Sequence, residues 1–170
     1  MSEVCICGLD ELRRQSGVVR PSHLISLVPP EQQPPTPTAV PQSNHLRVAF
    51  HDATEPDPDW VLPERHHIEL LIQFVKKWPQ ERPLLLHCVV GVSRSPAAAM
   101  ITLAVLRPGR PEEAVHAVRR YAPHCRPNRL MIELADLILD LNGQLTRAVG
   151  SLEPPDYSHA LPDLVRIPLK

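Results

Sequence analysis

Two side chains with complementary chemistry, the thiol of Cys88 and the guanidinium of Arg94, lie six positions apart in the sequence. A guanidinium can hold a phosphate or a carboxylate through two parallel hydrogen bonds, and a thiolate is a strong nucleophile. Gly91, midway between them, permits a tight turn in which the backbone approaches a bound anion closely. A single free cysteine is most often a buried, inert residue, but that interpretation leaves Gly91, Arg94 and the neighbouring hydroxyls unexplained. The spacing therefore predicts a reactive cysteine beside an anion site.

The elements on either side of this segment are expected to hold it at the end of a buried strand. Residues 84–86 are three leucines without charge, which predicts a strand that ends at His87. Pro96 suits the first turn of a helix, and residues 97–106 are almost wholly apolar. A strand-to-helix turn directs several backbone N–H groups at one point, where the helix dipole adds positive potential. This field stabilises a thiolate at Cys88, so we expect that sulfur to attack phosphorus.

The pattern His87-Cys88-x5-Arg94-Ser95 resembles the signature loop of the cysteine-dependent protein tyrosine phosphatase superfamily, in its compact dual-specificity-like branch. The resemblance covers roughly residues 4–145 by the order of elements, and the signature loop is its specific part. It implies that Cys88 forms a phosphocysteine intermediate and that Arg94 binds the phosphate. It also implies that Ser95 assists departure of the thiolate in the second step, and that His87 orients the loop without touching substrate.

The backbone of the loop between Cys88 and the helix is expected to complete the phosphate site. Relatives that act on polyphosphorylated inositol lipids often carry lysine or arginine inside this loop, whereas the variable positions here are valines. The loop thus favours a phosphorylated protein or peptide as partner, with phosphotyrosine first and phosphoserine or phosphothreonine left open. The residues expected to bind phosphate are Val89, Val90, Gly91, Val92, Ser93 and Arg94.

The resemblance also implies a general acid on the loop that follows the strand before the signature strand. Asp52, Asp57 and Asp59 all lie at a suitable distance upstream of the cysteine. We favour Asp52, because it directly follows an apolar strand end and because Phe50-His51-Asp52 matches the family's strand-then-Asp pattern. Asp57 stays an alternative, since it lies between two prolines whose stiffness could also present an acid.

Two other classes of function fit part of the pattern. A catalytically silent phosphate-binding or interaction module would keep the loop without turnover, although an intact Cys88, Arg94 and Asp52 speak against it. A sulfurtransferase or an arsenate reductase also mounts a reactive cysteine on a small anion-binding loop. The aspartate loop and the hydroxyl after Arg94 fit phosphate ester hydrolysis best.

Composition limits the choice of partner and compartment. The 170 residues carry 18 basic and 19 acidic side chains, so there is no overall basic field for nucleic acid. We expect no membrane association and a cytoplasmic location, because the amino terminus lacks a signal-peptide pattern and no segment holds eighteen apolar residues in succession. We also expect no cofactor and no metal, since the cysteines lack zinc spacing and the adjacent His66 and His67 diverge on a helix.

The order of patterns predicts an α/β protein with a mostly parallel central sheet and helices on both of its faces. Strands are expected at residues 4–6, 23–28, 45–50 and 84–87. Helices are expected at residues 9–16 with Gly17 as the stop, in a segment opened by Pro63, at residues 97–106, from residue 111 towards residue 121, and as one long helix over residues 128–148.

Proline content suggests how the chain is divided. Residues 29–43 hold six prolines and no periodicity, which predicts a proline-rich surface loop, either a solvated insertion or a rim that shapes access to substrate. Residues 1–149 are predicted to form the phosphatase domain. Residues 150–170 hold four prolines and are predicted to be a tail that lies on the surface or is partly disordered.

Overall fold

A central five-stranded sheet organises the protein, as seen in a computed structural model that describes residues 2–169. In spatial order the strands run β3-β2-β4-β1-β5, and β5 alone is antiparallel to its neighbour. The strands are β1 Glu3–Gly8, β2 His23–Val28, β3 His45–Ala49, β4 Leu84–Cys88 and β5 Val165–Pro168. The four strands predicted from sequence are confirmed.

Helices cover both faces of the sheet. The five helices that follow β3 pack on one face, where they bury the larger apolar core. The first helix and the proline-rich segment lie over the other face, where Leu12, Val19 and Val40 contact Leu24 and Leu85 in a smaller core. The helices are α1 Leu12–Val19, α2 Arg65–Lys77, α3 Arg94–Leu106, α4 Pro111–Tyr121, α5 Arg129–Ile138 and α6 Gln144–Gly150. The predicted fold class, a mostly parallel sheet between helical layers, is confirmed.

The central strand β4 shows why this order forms. All five of its residues are buried, because β4 pairs with parallel neighbours on both sides and is covered on both faces. Its alternating side chains serve the two cores, with Leu84 and Leu86 on the side of α2 and α3 and Leu85 on the side of α1. The strand therefore delivers Cys88 to the carboxyl edge of the sheet from a rigid base.

The first predicted helix is shifted in the structure. Gly17 was expected to end it, but α1 continues through Gly17 to Val19 and ends at Arg20, whose φ is +49°. A glycine within a helix costs only about 1 kcal/mol, and burial of Val19 in the smaller core offsets that cost. Pro21 then prevents continuation of the helix.

The long helix predicted over residues 128–148 is wrong, because the chain forms α5 and α6 with a turn between them. The buried carboxylate of Asp136 accepts hydrogen bonds from the backbone N–H of Gly143 at 2.6 Å and of Thr146 at 2.9 Å. Asp140, Asn142 and Gly143 have positive φ. The apolar periodicity continues across this break, so it did not mark where the backbone turns.

The tail predicted for residues 150–170 is wrong for Val165–Pro168, which form β5 beside β1. Val165 and Ile167 are buried against the larger core. A four-residue strand is too short for its alternation to stand out from a proline-rich background. The division of the chain near residue 150 stays a prediction, and its outer ends, Met1 and Lys170, lie outside the described residues.

None of the helices within residues 2–169 has the length and apolar character needed to cross a membrane.

The predicted proline-rich loop contains two short 3-10 helices, Pro30–Gln32 and Gln42–Asn44, and is otherwise irregular. Thr36 is half-buried, and Val40 is buried against the smaller core. The Arg47 side chain donates to the Pro34 carbonyl at 3.1 Å. The segment is thus packed onto β3 and β2.

Candidate active site

Carbonyl groups of the loop between β4 and α3 accept hydrogen bonds from backbone N–H groups elsewhere in the protein. The carbonyl oxygen of Val89 accepts from Leu9 N–H at 3.0 Å, and that of Val92 accepts from Arg126 N–H at 2.8 Å. Gly91 has a φ of +85°, and a Cβ at this position would lie 3.2 Å from the carbonyl carbon and oxygen of Cys7. Only glycine combines this backbone conformation with so close an approach to β1.

Whereas these carbonyl groups are hydrogen-bonded, several backbone N–H groups of the same loop have no hydrogen-bond partner among the described residues. Within residues 2–169, no hydrogen bond is made by the backbone N–H of Val89, Val90, Val92 or Ser93. These four residues line one open cavity together with Cys88 and Arg94. Helix α3, thirteen residues long, begins at the same point and adds the positive end of its dipole. Free donors at a helix N-terminus form a cradle for an anion.

Cys88 lies at the base of this cradle, with 3% of its surface exposed. Its Sγ atom lies 3.1 Å from the hydroxyl oxygen of Ser95 and accepts a hydrogen bond from Gly91 N–H at 3.2 Å. Hydrogen bonds donated to sulfur stabilise the thiolate over the thiol. The sulfur of the predicted nucleophile therefore contacts both the predicted hydroxyl and the loop glycine.

Arg94 is a buried cation without a counter-ion among the described residues. It is 5% exposed, and no carboxylate in that part of the chain forms an ion pair with it. Its Nη1 atom donates to the Phe50 carbonyl at 2.8 Å, whereas its Nε atom is buried with no partner there. A buried, unpaired guanidinium is costly, and a bound anion in the adjacent cradle would remove that cost.

Asp52 lines the same cavity and is tied directly to the loop. Its Oδ1 atom accepts from the Ser93 hydroxyl at 2.7 Å and from the Asn128 side-chain amide at 2.8 Å. Asn128 also donates to the Ala53 carbonyl at 3.2 Å and caps α5 by accepting from Met131 N–H. No described residue hydrogen-bonds to Oδ2 of Asp52. That oxygen is therefore available to carry a proton towards the cavity.

The alternative acid has a different environment. Asp57 lines the cavity, but its Oδ1 atom accepts from the backbone N–H of Asp59 at 2.9 Å in a local turn. Neither Asp57 nor Asp59 hydrogen-bonds to the loop after β4. Of these carboxylates, only Asp52 is hydrogen-bonded to the loop after β4.

The sequence analysis missed several residues that shape the site. The cavity has a volume of about 1180 Å³ and is walled by the loops after β3 and β4, the α4–α5 connection and residues 152–157. Asn128 was predicted only as the first residue of a helix, although it also holds the loop that carries Asp52. No local pattern marks further lining side chains such as Trp60, Arg126, Arg129 and Tyr157.

No family model matches the chain, and no curated protein matches its sequence. Solved structures do match it. Human DUSP28 aligns with a TM-score of 0.58 and 19% identity over 76% of this chain and 82% of that one. Cydia pomonella PTP-2 phosphatase gives 0.59 and 20% over 78% and 83%, and DUSP15 gives 0.59 and 16% over 91% and 99%. The chain has the dual-specificity phosphatase fold.

In this phosphatase fold, the signature histidine lies behind the loop. His87 is fully buried, and its Nε2 atom lies 2.6 Å from the Ser26 hydroxyl. The same hydroxyl lies 2.7 Å from Nε2 of His45. Burial lowers the pKa of His87 to about 4, and burial with nearby Arg47 lowers the pKa of His45 to about 4. Both imidazoles are therefore neutral at physiological pH.

These two histidines predict how stability depends on pH. Because their pKa values in the folded protein lie below the unfolded value near 6.5, the unfolded chain binds more protons between these limits. The stabilisation is complete above pH 6.5 and is lost as the pH falls towards 4. We expect urea titrations to show that the free energy of unfolding falls by on the order of 2 kcal/mol per histidine between pH 7 and pH 5. His45→Gln should make the free energy of unfolding depend less steeply on pH. His66→Gln should leave this dependence unchanged, because His66 is exposed. Equal slopes in all three proteins would contradict the assignment.

Proposed function

We propose that this protein hydrolyses phosphate monoesters, with phosphotyrosine in proteins or peptides as its main substrate, through a phosphocysteine intermediate on Cys88. The observation that carries the proposal is the buried, unpaired guanidinium of Arg94 beside the sulfur and the free N–H groups of the loop. A dianionic phosphate monoester supplies the charge and acceptor oxygens that this arrangement lacks. The phosphatase fold supports the same class of reaction.

The residues suit two successive displacements at phosphorus. In the first, the Cys88 thiolate forms an S–P bond while the P–O bond to the leaving group breaks, and Asp52 donates its proton to the departing oxygen. In the second, water attacks phosphorus, Asp52 takes a proton from it, and the S–P bond breaks. The Ser95 hydroxyl, 3.1 Å from Sγ, donates to the thiolate that departs. Arg94 and the loop amides hold the equatorial oxygens throughout.

The surroundings of the loop support a protein or peptide substrate. The cradle gains no additional cation from its variable positions, which are Val89, Val90 and Val92, so it suits a substrate with a single phosphate group. The cavity is open and is walled partly by aromatic side chains, Trp60 and Tyr157, which are about half exposed. Such a wall can contact the ring of a phosphorylated tyrosine. Parallel assays on phosphotyrosyl and phosphothreonyl peptides of one sequence measure the preference.

Turnover of an aryl phosphate, with and without vanadate and at several pH values, tests the proposal. We expect hydrolysis that vanadate inhibits competitively. Vanadate binding without hydrolysis would instead favour a silent phosphate-binding module. Cyanolysis of thiosulfate or thiol-coupled reduction of arsenate, in the absence of phosphatase activity, would favour the other cysteine enzymes.

Exchange of Asp52 for asparagine tests the acid. A general acid matters more for a basic leaving group, so Asp52→Asn should slow phenyl phosphate hydrolysis by about 10²- to 10³-fold and p-nitrophenyl phosphate hydrolysis much less. The alkaline limb of the rate profile should also disappear, because it reports loss of the proton from the acid.

Asp57→Asn is the matched control. Its carboxylate serves a local turn, so leaving-group dependence and the shape of the pH profile should stay as in the unaltered protein. The reverse pattern in the two variants would assign the acid to Asp57. Unaltered profiles in both would make Asp59 the next candidate.

A further inference from the structure

A continuous line of side chains connects the proline-rich segment to the back of the catalytic loop. The Thr36 hydroxyl lies 2.8 Å from Nδ1 of His45, and Nε2 of His45 lies 2.7 Å from the Ser26 hydroxyl. Ser26 then lies 2.6 Å from Nε2 of His87, and Nδ1 of His87 lies 3.4 Å from the Cys88 carbonyl oxygen. The line crosses the adjacent strands β3, β2 and β4, where Ser26 and His87 are direct cross-strand partners.

The groups at the two ends of this line favour one direction for its hydrogen bonds. Arg47, which can only donate, binds Thr36 Oγ1 from its Nη2 atom at 3.0 Å. Thr36 can then either donate its hydroxyl proton to an unprotonated Nδ1 of His45 or accept a second hydrogen bond from a protonated one. The other end of the line decides between these, because the Cys88 carbonyl can only accept, which places the proton of His87 on Nδ1 and leaves its Nε2 to accept from Ser26. His45 is neutral, so it carries its proton on Nε2 and donates to Ser26.

The remaining two bonds agree with this direction. Ser26 accepts from His45, so its own proton goes to Nε2 of His87. His87 is also neutral, because burial and the nearby Arg94 lower its pKa. Its proton must therefore lie on Nδ1, which faces the Cys88 carbonyl. A chain of bonds with one direction polarises each member in the same sense and is stronger than isolated pairs.

The Cys88 carbonyl matters because it shares a planar peptide unit with the Val89 N–H. In a trans peptide the two groups point in opposite directions, so a carbonyl held towards His87 turns the N–H of Val89 away from His87. That N–H is one of the cradle donors without a partner among the described residues. The opposite tautomer of His87 would place a lone pair against the carbonyl oxygen and release this peptide.

We propose that Thr36, His45 and Ser26 are positioning residues that fix the tautomer of His87, and thereby the Val89 N–H of the phosphate cradle. The proline-rich segment thus acts on the site from behind the sheet, through Thr36. None of the three residues lines the cavity that contains Cys88. The effect on catalysis rests on the proposed phosphatase function, whereas the effect on His87 and Val89 does not.

Ring-nitrogen and amide NMR on the full chain without substrate tests the proposal directly. In the unaltered protein we expect His45 to be protonated on Nε2 and His87 on Nδ1. Thr36→Val keeps the shape of the side chain but removes the hydroxyl, so it should convert His87 to a mixture of tautomers and shift the Val89 amide resonance. Thr36→Ser keeps the hydroxyl and should preserve both signals.

Thr38→Val provides the matched control, because Thr38 lies in the same segment with an exposed side chain and makes no side-chain hydrogen bond with a described residue. It should leave the histidine and Val89 signals unchanged. If aryl phosphate is hydrolysed, Thr36→Val should also lower kcat/KM by about threefold to tenfold and weaken vanadate inhibition equally, as expected for one lost hydrogen bond.

Two results would overturn the proposal. One is an Nε2 proton on His87 in the unaltered protein, and the other is a Thr36→Val variant whose His87 and Val89 signals match those of Thr38→Val. Absence of phosphatase activity in the unaltered protein would contradict the proposed function alone, since the NMR signals are read without turnover. Should Thr36→Val fail to fold, Ser26→Ala interrupts the same line at its centre and is judged by the same signals.

Discussion

Replacing Cys88 by serine should abolish turnover of aryl phosphates, with a loss of about 10⁴-fold or more in kcat. An alcohol beside the same donors is a far weaker nucleophile than a thiolate at neutral pH. The cradle consists of Arg94 and loop amides, so binding of inorganic phosphate or vanadate should persist. Steady-state rates and calorimetric titration with the anion measure the two effects separately.

Cys125→Ala is the matched control for this substitution. Cys125 is buried outside the cavity, and burial raises its pKa, so its thiol has no part in the reaction and turnover should persist. Burial also raises the pKa of Cys7 to about 12 and that of Cys5 still further. Alkylation at neutral pH should therefore label Cys88 alone. Residual hydrolysis by Cys88→Ser near the unaltered rate would overturn the assignment of the nucleophile.

Replacing Arg94 by lysine should lower kcat/KM by about 10³-fold although the positive charge is retained. The guanidinium serves two partners at once, since Nη1 holds the Phe50 carbonyl while Nε and Nη2 remain for phosphate oxygens. A single ammonium group cannot occupy both positions. Loss of the Phe50 contact should also loosen the segment that carries Asp52.

Arg120→Lys is the matched control, because Arg120 is exposed and does not line the cavity. Its activity and vanadate inhibition should stay within a factor of about two. Arg94→Lys should lose vanadate inhibition together with activity, because one group supports both. An Arg94→Lys variant that keeps vanadate binding and more than a tenth of the unaltered activity would contradict the two-partner role.

The sequence by itself determined the strand, turn and helix around the candidate nucleophile. An apolar strand, a glycine that permits a positive φ and an apolar helix leave local patterns in the sequence, so the composition of residues 84–106 predicts them. The same local logic predicted β2 and β3, whereas the preference for Asp52 at the end of β3 also rested on the resemblance to the phosphatase family. The roles of Cys88, Arg94, Asp52 and Ser95 stay predictions until the variants are measured.

Only the tertiary structure decided which distant residues meet behind and beside this loop. The attachment of Asp52 to Ser93 and Asn128 joins residues 41 and 76 positions apart, and the line from Thr36 to His87 crosses three strands. Such contacts depend on strand order and register, which no local pattern encodes. The pairing of β5 with β1 has the same origin, because burial of Ile167 against distant elements outweighs local preference.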